Sequence, residues 1–363
     1  ELDSPRGRIY LIKQLLEGHD VTEKTQLHLD RCLTCRSCET TCPSGVQYGK
    51  LLDIGREFTE QLISRPLPAR FIRFALRKII PYPVRFASVV KLGLIFKPLL
   101  PAITQKKIPI IEKASSRPKN NHLRRMLILD GCAQSVVTPN TNAATARILD
   151  RLGIELITAE KSTCCGAVSH HLSAIDEGLD FMRRNIDAWW PYVEQDVEAI
   201  VITASGCGAM VKDYAHLLKH DAAYAEKAQR ISELAKDISE ILQKEELSIL
   251  HSGPINKKVA FHSPCTLQHG QKLGGIVETL LTDIGFTLTK VTDPHLCCGS
   301  AGTYSILQSK LSQQLLSNKL NALQQANPEV IATANIGCQM HMSSQSSVPV
   351  KHWIELIDEW MNG

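Results

Sequence analysis

Apolar positions recur along the later part of the chain in two matching series. Met126-Leu-Ile-Leu and Val259-Ala-Phe are short continuous apolar runs, the pattern of strands buried on both faces. Each leads into a helical spacing. Ala144, Ile148, Leu149 and Leu152 stand at i, i+4, i+5 and i+8 before Gly153, and Ile276, Leu280, Leu281 and Ile284 repeat this before Gly285. Ile154-Glu-Leu-Ile and Phe286-Thr-Leu-Thr then alternate as half-buried strands, and Ala199-Ile-Val-Ile-Thr and Val330-Ile-Ala-Thr-Ala close each series. Strands separated by helices predict parallel sheets whose connecting loops gather at the carboxyl edge. The expected class is α/β, with two duplicated parallel-sheet domains.

Cysteine changes this picture from a fold to a chemistry. The chain has 363 residues and twelve cysteines, which fall into three sets of four. Cys132, Cys164, Cys165 and Cys207 are separated by gaps of 31, 0 and 41 residues, and Cys265, Cys297, Cys298 and Cys338 by gaps of 31, 0 and 39. The period is 133 residues at the first three positions, and Cys-Cys-Gly recurs at 164–166 and 297–299. Each cysteine follows a predicted strand, so each quartet is expected to meet at one sheet edge and hold a metal or cluster. Helix N-termini there would stabilise thiolate charge. Disulfides suit short secreted domains better than a chain of this length.

The first set lies in a different setting. Cys32, Cys35, Cys38 and Cys42 form C-x2-C-x2-C-x3-C followed by Pro43, the spacing of a ferredoxin-type 4Fe-4S motif. Structural zinc sites more often pair two C-x2-C knuckles across a longer gap. In two-cluster ferredoxins the fourth cysteine of such a run serves the other cluster. Cys42 therefore either closes a single local cluster or belongs to one whose other ligands lie elsewhere. The missing initiator methionine favours a chain that extends upstream of Glu1.

Between these regions the composition shifts. Residues 61–125 carry fifteen Lys or Arg against Glu112 alone, a net +14, leaving −10 for the remainder. The prolines at 66, 68, 81, 83, 98, 101, 109 and 118 break this segment into short pieces, among them Phe71-Ile-Arg-Phe-Ala-Leu-Arg-Lys-Ile-Ile and Val89-Val-Lys-Leu-Gly-Leu-Ile-Phe-Lys. Mixed apolar and cationic stretches suit an anionic membrane surface or an acidic partner, or a plain solvated connector. No apolar run reaches the length of a membrane span, no secretory signal is legible, and no nucleic-acid motif is present. His170, His171, His262, His269, His295 and His341 lie near cysteines. Proximity could make one of them a ligand or a tuner of cluster potential through hydrogen bonds to sulfur, but only the cysteines recur in register, so satisfied or exposed side chains are the favoured reading, with Trp189 and Trp190 packing a helix end.

With both cysteine patterns in view, the chain resembles the family of iron-sulfur subunits of bacterial glycolate oxidases. The resemblance is carried by Glu1-Leu-Asp-Ser-Pro-Arg-Gly-Arg, Leu29-Asp-Arg-Cys-Leu-Thr-Cys-Arg-Ser-Cys-Glu-Thr-Thr-Cys-Pro-Ser-Gly, Gly131-Cys-Ala-Gln, Asn185-Ile-Asp-Ala-Trp-Trp-Pro, Thr203-Ala-Ser-Gly-Cys-Gly-Ala and Cys297-Cys-Gly-Ser-Ala-Gly-Thr-Tyr. The two later sets resemble the cysteine-rich CCG domains also found in the B subunit of heterodisulfide reductase. Such domains often end in a C-x2-C pair, whereas here each has only Cys207 or Cys338.

This resemblance implies an earlier ferredoxin motif upstream of Glu1, and hence one or two ferredoxin-type 4Fe-4S clusters in the full-length protein. It implies a flavin-containing partner that oxidises glycolate to glyoxylate, or D-lactate to pyruvate, with electrons passing through this subunit to membrane quinone. The expected organisation is a helical ferredoxin-type domain at 1–64, a basic Pro-rich helical linker at 65–125, and CCG domains at 126–250 and 251–363. No catalytic residue is expected in this chain. Its expected place is the cytoplasm, peripheral to the inner face of the membrane. The competing readings are CCG domains that themselves reduce a disulfide, and a zinc-binding scaffold.

Overall fold

The computed structural model describes residues 1–99, 105, 108–250 and 255–362. Pro101, Lys106, Lys107 and the expected junction after residue 250 fall outside or at the edge of these residues. The chain opens with helices Pro5–Leu16, Glu23–Asp30 and Tyr48–Leu62, which pack around Ile12, Leu29 and Leu52. Ser4 and Thr22 cap the first two through their side chains. Helices Leu67–Ile79 and Pro83–Ile95 follow, each with a proline in its first turn, where no amide hydrogen is missed.

Two four-stranded parallel sheets make up the rest. The first comprises β1 (Arg124–Ile128), β2 (Ile154–Thr158), β3 (Ile200–Ile202) and β4 (Ala235–Asp237), in the order β2-β1-β3-β4. The second comprises β5 (Lys258–His262), β6 (Thr287–Leu288), β7 (Val330–Thr333) and β8 (Val350–His352), in the equivalent order β6-β5-β7-β8. The α/β class and the six strands read from the sequence are all present. The fourth strand of each sheet is an addition. It is three residues long and carries a lysine at its centre, too little pattern to register as a strand.

Alternate residues of each strand face different cores. Met126, Val201, Val259, Phe261, Val330 and Ala332 belong to one core shared by both repeats, while Leu127, Ile200 and Ile202 face an outer core of the first repeat, and Ala260 and Ile331 an outer core of the second. The shared core is closed by two equivalent helix pairs. Pro139–Arg151 packs on Trp353–Asn362, and Ile238–Leu242 packs on Ile276–Ile284. The duplicated halves thus meet about a pseudo-twofold axis. Arg147 pairs with Asp358 at 2.6 Å across this contact, and the Thr141 hydroxyl donates to Glu355 at 2.5 Å.

Candidate metal centres

The carboxyl ends of the strands deliver the cysteines. Cys132 follows β1, Cys164 and Cys165 follow β2, and Cys207 sits in the first turn of helix Ser205–Lys212 after β3. Cys265, Cys297, Cys298 and Cys338 take the same places after β5, β6 and β7, with Cys338 in the first turn of helix Ile336–Ser343. All twelve cysteines are free thiols.

Within each quartet the sulfurs form a continuous chain in the same order. Cys164 touches Cys132 and Cys165, and Cys165 touches Cys207. Cys297 likewise touches Cys265 and Cys298, and Cys298 touches Cys338. The proton affinities alternate accordingly. Cys165 is held well below the ordinary thiol range because it accepts from Cys164 and Cys207, which rise. Cys297 falls because it accepts from Cys265 and Cys298, and Cys338 falls to about 5 through Cys298.

The Cys-Cys-Gly turn is fixed by its glycine. Gly166 and Gly299 have φ of +90° and +85°, and an added Cβ would lie 2.8 Å from the Gly178 carbonyl oxygen and 2.6 Å from that of Ser312. Left-handed backbone and a helix pressed against the turn both exclude a side chain. Asn185 and Tyr214, fully buried, hold the first turn: Asn185 Nδ2 donates to the Cys164 carbonyl at 2.9 Å and the Tyr214 hydroxyl to the Cys165 carbonyl at 2.9 Å. In the second repeat the Ser312 hydroxyl donates to the Gly299 carbonyl at 2.7 Å. Lys319, with no exposed surface, donates to the Pro294 carbonyl at 3.0 Å and bears electrostatically on Cys298, Cys297 and Cys338. A buried cation beside one quartet favours charge on its thiolates.

In the N-terminal set, burial raises the proton affinity of Cys35 and Cys38; neighbouring sulfurs add to it, those of Cys297 and Cys32 at Cys35 and those of Cys35 and Cys32 at Cys38, which rises to about 11. The Cys42 sulfur faces the amides of Val46, Ser44 and Gly45, which lower its proton affinity. The loop carrying the trio is wound tightly. Thr34 and Arg36 have φ of 53° and 59°, a conformation costing non-glycine residues roughly 1–3 kcal/mol each. Arg56 clamps it, donating to the Cys32 carbonyl at 2.9 Å and the Thr34 hydroxyl at 3.1 Å.

This unit lies across both repeats. Towards the first, Arg36 pairs with Asp213 at 3.2 Å and Asp53 meets His170 at 3.4 Å. Burial alone would raise Asp53, but His170 and His171 outweigh it and hold it low, while burial pushes His171 down to about 4. Towards the second, the Tyr304 hydroxyl donates to the Arg31 carbonyl at 3.4 Å, and Cys297 acts on Cys35.

A family model described as "Cysteine-rich domain" matches residues 126–212 and 259–343, the two segments that carry the quartets. The glycolate oxidase iron-sulfur subunit of Escherichia coli (strain K12) is 57% identical over 99% of this chain and 88% of its own length. The chain belongs to the glycolate oxidase iron-sulfur subunit family. A probable glycolate oxidase iron-sulfur subunit of Bacillus subtilis (strain 168) is 30% identical over 94% of this chain and 83% of its own. Lactate utilization protein A of Bacillus licheniformis is 28% identical over 62% of this chain. The crystal structure of a hypothetical protein from Helicobacter pylori shares the fold, with a TM-score of 0.60 at 10% identity over 99% of this chain and 67% of that one.

The donor chemistry suits iron-sulfur groups: clustered thiolates with amide hydrogens directed at sulfur, as from Thr34 to Cys32 at 3.4 Å and Gly299 to Cys297 at 3.3 Å. Three positions after Cys207 and Cys338 stand Met210 and His341. Asn185, Tyr214, Lys319 and Arg56 were not legible as site residues, because each reaches its cysteine loop only through tertiary packing. Of the histidines near cysteines, His262 is buried beside the sulfurs of Cys298 and Cys338 and helps to lower the proton affinity of Cys338. Trp189 is buried and Trp190 half-buried against the same core near the helix end, and the Trp190 ring donates to Glu194 at 2.8 Å.

Proposed function

We propose that this chain is the iron-sulfur electron-transfer subunit of a glycolate-oxidising complex. It takes electrons from a flavin-containing partner that oxidises glycolate to glyoxylate, or D-lactate to pyruvate, and delivers them toward membrane quinone. The observation that carries this reading is the adjacency of separate thiol sets: Cys297 of the second repeat acts on Cys35 of the N-terminal set, and Cys35 in turn on Cys265. Bound 4Fe-4S or related clusters would supply one-electron transfer with little change in geometry.

The roles of the chain's own residues follow. Cys32, Cys35 and Cys38 would hold one ferredoxin-type group, with Cys42 either closing it or serving a different one. The quartets Cys132, Cys164, Cys165, Cys207 and Cys265, Cys297, Cys298, Cys338 would each hold a further group. Asn185, Tyr214 and Ser312 fix the loops, the shared core excludes water, and Lys319 offsets negative charge at the second quartet.

Helices Leu67–Ile79 and Pro83–Ile95 support a cytoplasmic-face membrane contact. Leu67, Phe71 and Phe74 stand exposed on one face of the first, and Val84, Leu92 and Ile95 are exposed on the second, with Arg70, Arg85 and Lys91 exposed among them. The opposite cations are turned inward: Arg73 pairs with Asp30 at 3.0 Å, and Arg77 and Lys78 with Glu177 at 3.2 and 3.1 Å. The apolar face is thereby held outward. Among the described residues no helix is long and apolar enough to cross a membrane.

The test is iron and acid-labile sulfide per chain in oxygen-protected protein, with the electron paramagnetic signal after reduction. Iron and sulfide in cluster proportion support the reading. Zinc without iron, or disulfide reduction by the isolated chain at a catalytic rate, would overturn it.

A further inference from the structure

His262 is the last residue of β5 and is 1% exposed. Among the described residues neither Nδ1 nor Nε2 meets a hydrogen-bonding nitrogen or oxygen, and the polar group beside the ring is the Cys338 sulfur, whose proton affinity the imidazole helps to lower. A buried polar group left unpaired costs about 1–3 kcal/mol, so an imidazole set against cysteine sulfurs with no nitrogen or oxygen partner points to a group bound among them. One of its nitrogens and the sulfurs of Cys298 and Cys338 all lie within 4.8 Å of one another. This is the spacing of donors gathered around one centre.

The duplication supplies the internal comparison. Counting back by the repeat period of 133 residues, the position of His262 is taken in the first repeat by Leu129, which is buried in the apolar core beside Cys132. The fold at the end of the central strand therefore needs only an apolar side chain. In the second repeat that place is given to the commonest nitrogen donor for metals.

We infer that a ring nitrogen of His262 is a ligand of the metal group held by the second repeat. That site then has a five-donor set, His262 with Cys265, Cys297, Cys298 and Cys338, where the first repeat has four thiols. The inference rests on the reading that the second repeat holds an iron-sulfur group. A neutral imidazole adds less negative charge than a thiolate, which makes its centre easier to reduce.

The experiment uses the assembled, oxygen-protected complex grown on isotope-enriched iron. Cys298→Ser comes first: if it leaves iron and sulfide content unchanged, the electron-transfer reading of this repeat fails and the inference with it. If content falls, His262→Cys and His262→Leu are compared with the unsubstituted complex by Mössbauer spectroscopy, which detects every iron whatever its spin state, and by redox titration. Ligation predicts one iron site with a nitrogen-type isomer shift that moves to the all-thiolate value in His262→Cys, together with a single midpoint potential displaced to a lower value. In His262→Leu, a substitution the first repeat already accommodates, the same site changes or is lost while the others keep their spectra. Unchanged Mössbauer spectra in both variants overturn ligation and leave the electron-transfer reading standing, even where a midpoint moves.

Discussion

Thr40, two residues before Cys42, and His269, four residues after Cys265, share a 2.8 Å hydrogen bond between Oγ1 and Nδ1. Two cysteine loops more than 220 positions apart in the chain are thus pinned to each other. With the Tyr304–Arg31 contact, this bond sets the N-terminal trio against the second quartet rather than leaving it on a mobile tether. That seam matters because electron transfer between centres falls off steeply with separation.

Cys35 lies at this seam, so Cys35→Ser is expected to abolish glycolate-dependent quinone reduction by the assembled complex. Reduction of the partner's flavin by glycolate should proceed at its ordinary rate. Stopped-flow absorbance of the flavin, run beside a quinone assay, separates the two, and sustained quinone reduction would count against the relay.

The outward apolar face of the linker helices predicts binding to lipid vesicles. Burying one phenylalanine is worth roughly 1.5–3 kcal/mol, so Phe71→Glu with Phe74→Glu should weaken cosedimentation with anionic vesicles at least tenfold. Since Arg73, Arg77 and Lys78 are engaged within the protein, moderate salt should weaken binding much less than these substitutions do.

Glu355 gives a signed pH dependence. Burial raises its carboxyl from 4.5 to about 7, so the folded state favours the protonated form. The resulting stabilisation is fully present below pH 4.5 and is lost as pH rises through 7. Glu355→Gln should remove this slope and stabilise the fold above pH 7 by up to about 3 kcal/mol, read from denaturant unfolding across pH. Equal slopes in the two proteins would reject the assignment.

Gly299 and Gly302 both have positive φ, but only at Gly299 would a Cβ meet another backbone atom, at 2.6 Å. Gly302→Ala is expected to cost about 1–3 kcal/mol from conformation alone. Gly299→Ala should cost distinctly more and lower the iron retained by the second repeat. Denaturation midpoints with metal analysis test the ordering.

Much of the site was legible because cysteine spacing and apolar periodicity are local properties. The strands around Met126, Ile154, Ala199, Val259, Phe286 and Val330 announced themselves by continuous or alternating apolar residues, and a parallel sheet then obliges the following loops to share an edge. His262 was obscured because its counterpart, Leu129, breaks the repeat. Its significance depends on the sulfurs of Cys298 and Cys338 lying beside it, a fact about surroundings. Cys42 shows the same limit: its motif spacing gives no hint that the amides of Ser44, Gly45 and Val46 meet its sulfur.

The sequence by itself determined which residues carry sulfur, their grouping into three sets, and the duplicated order of strands, since these follow from spacing and from the burial each apolar run demands. Tertiary structure alone decided that the two repeats share one core, that the N-terminal trio leans on Cys297, and that the linker cations turn inward to Asp30 and Glu177. Those outcomes come from contacts between segments a hundred or more residues apart, or between helix faces, and they are chosen by the summed packing and ion pairing of the whole chain, which no local pattern encodes.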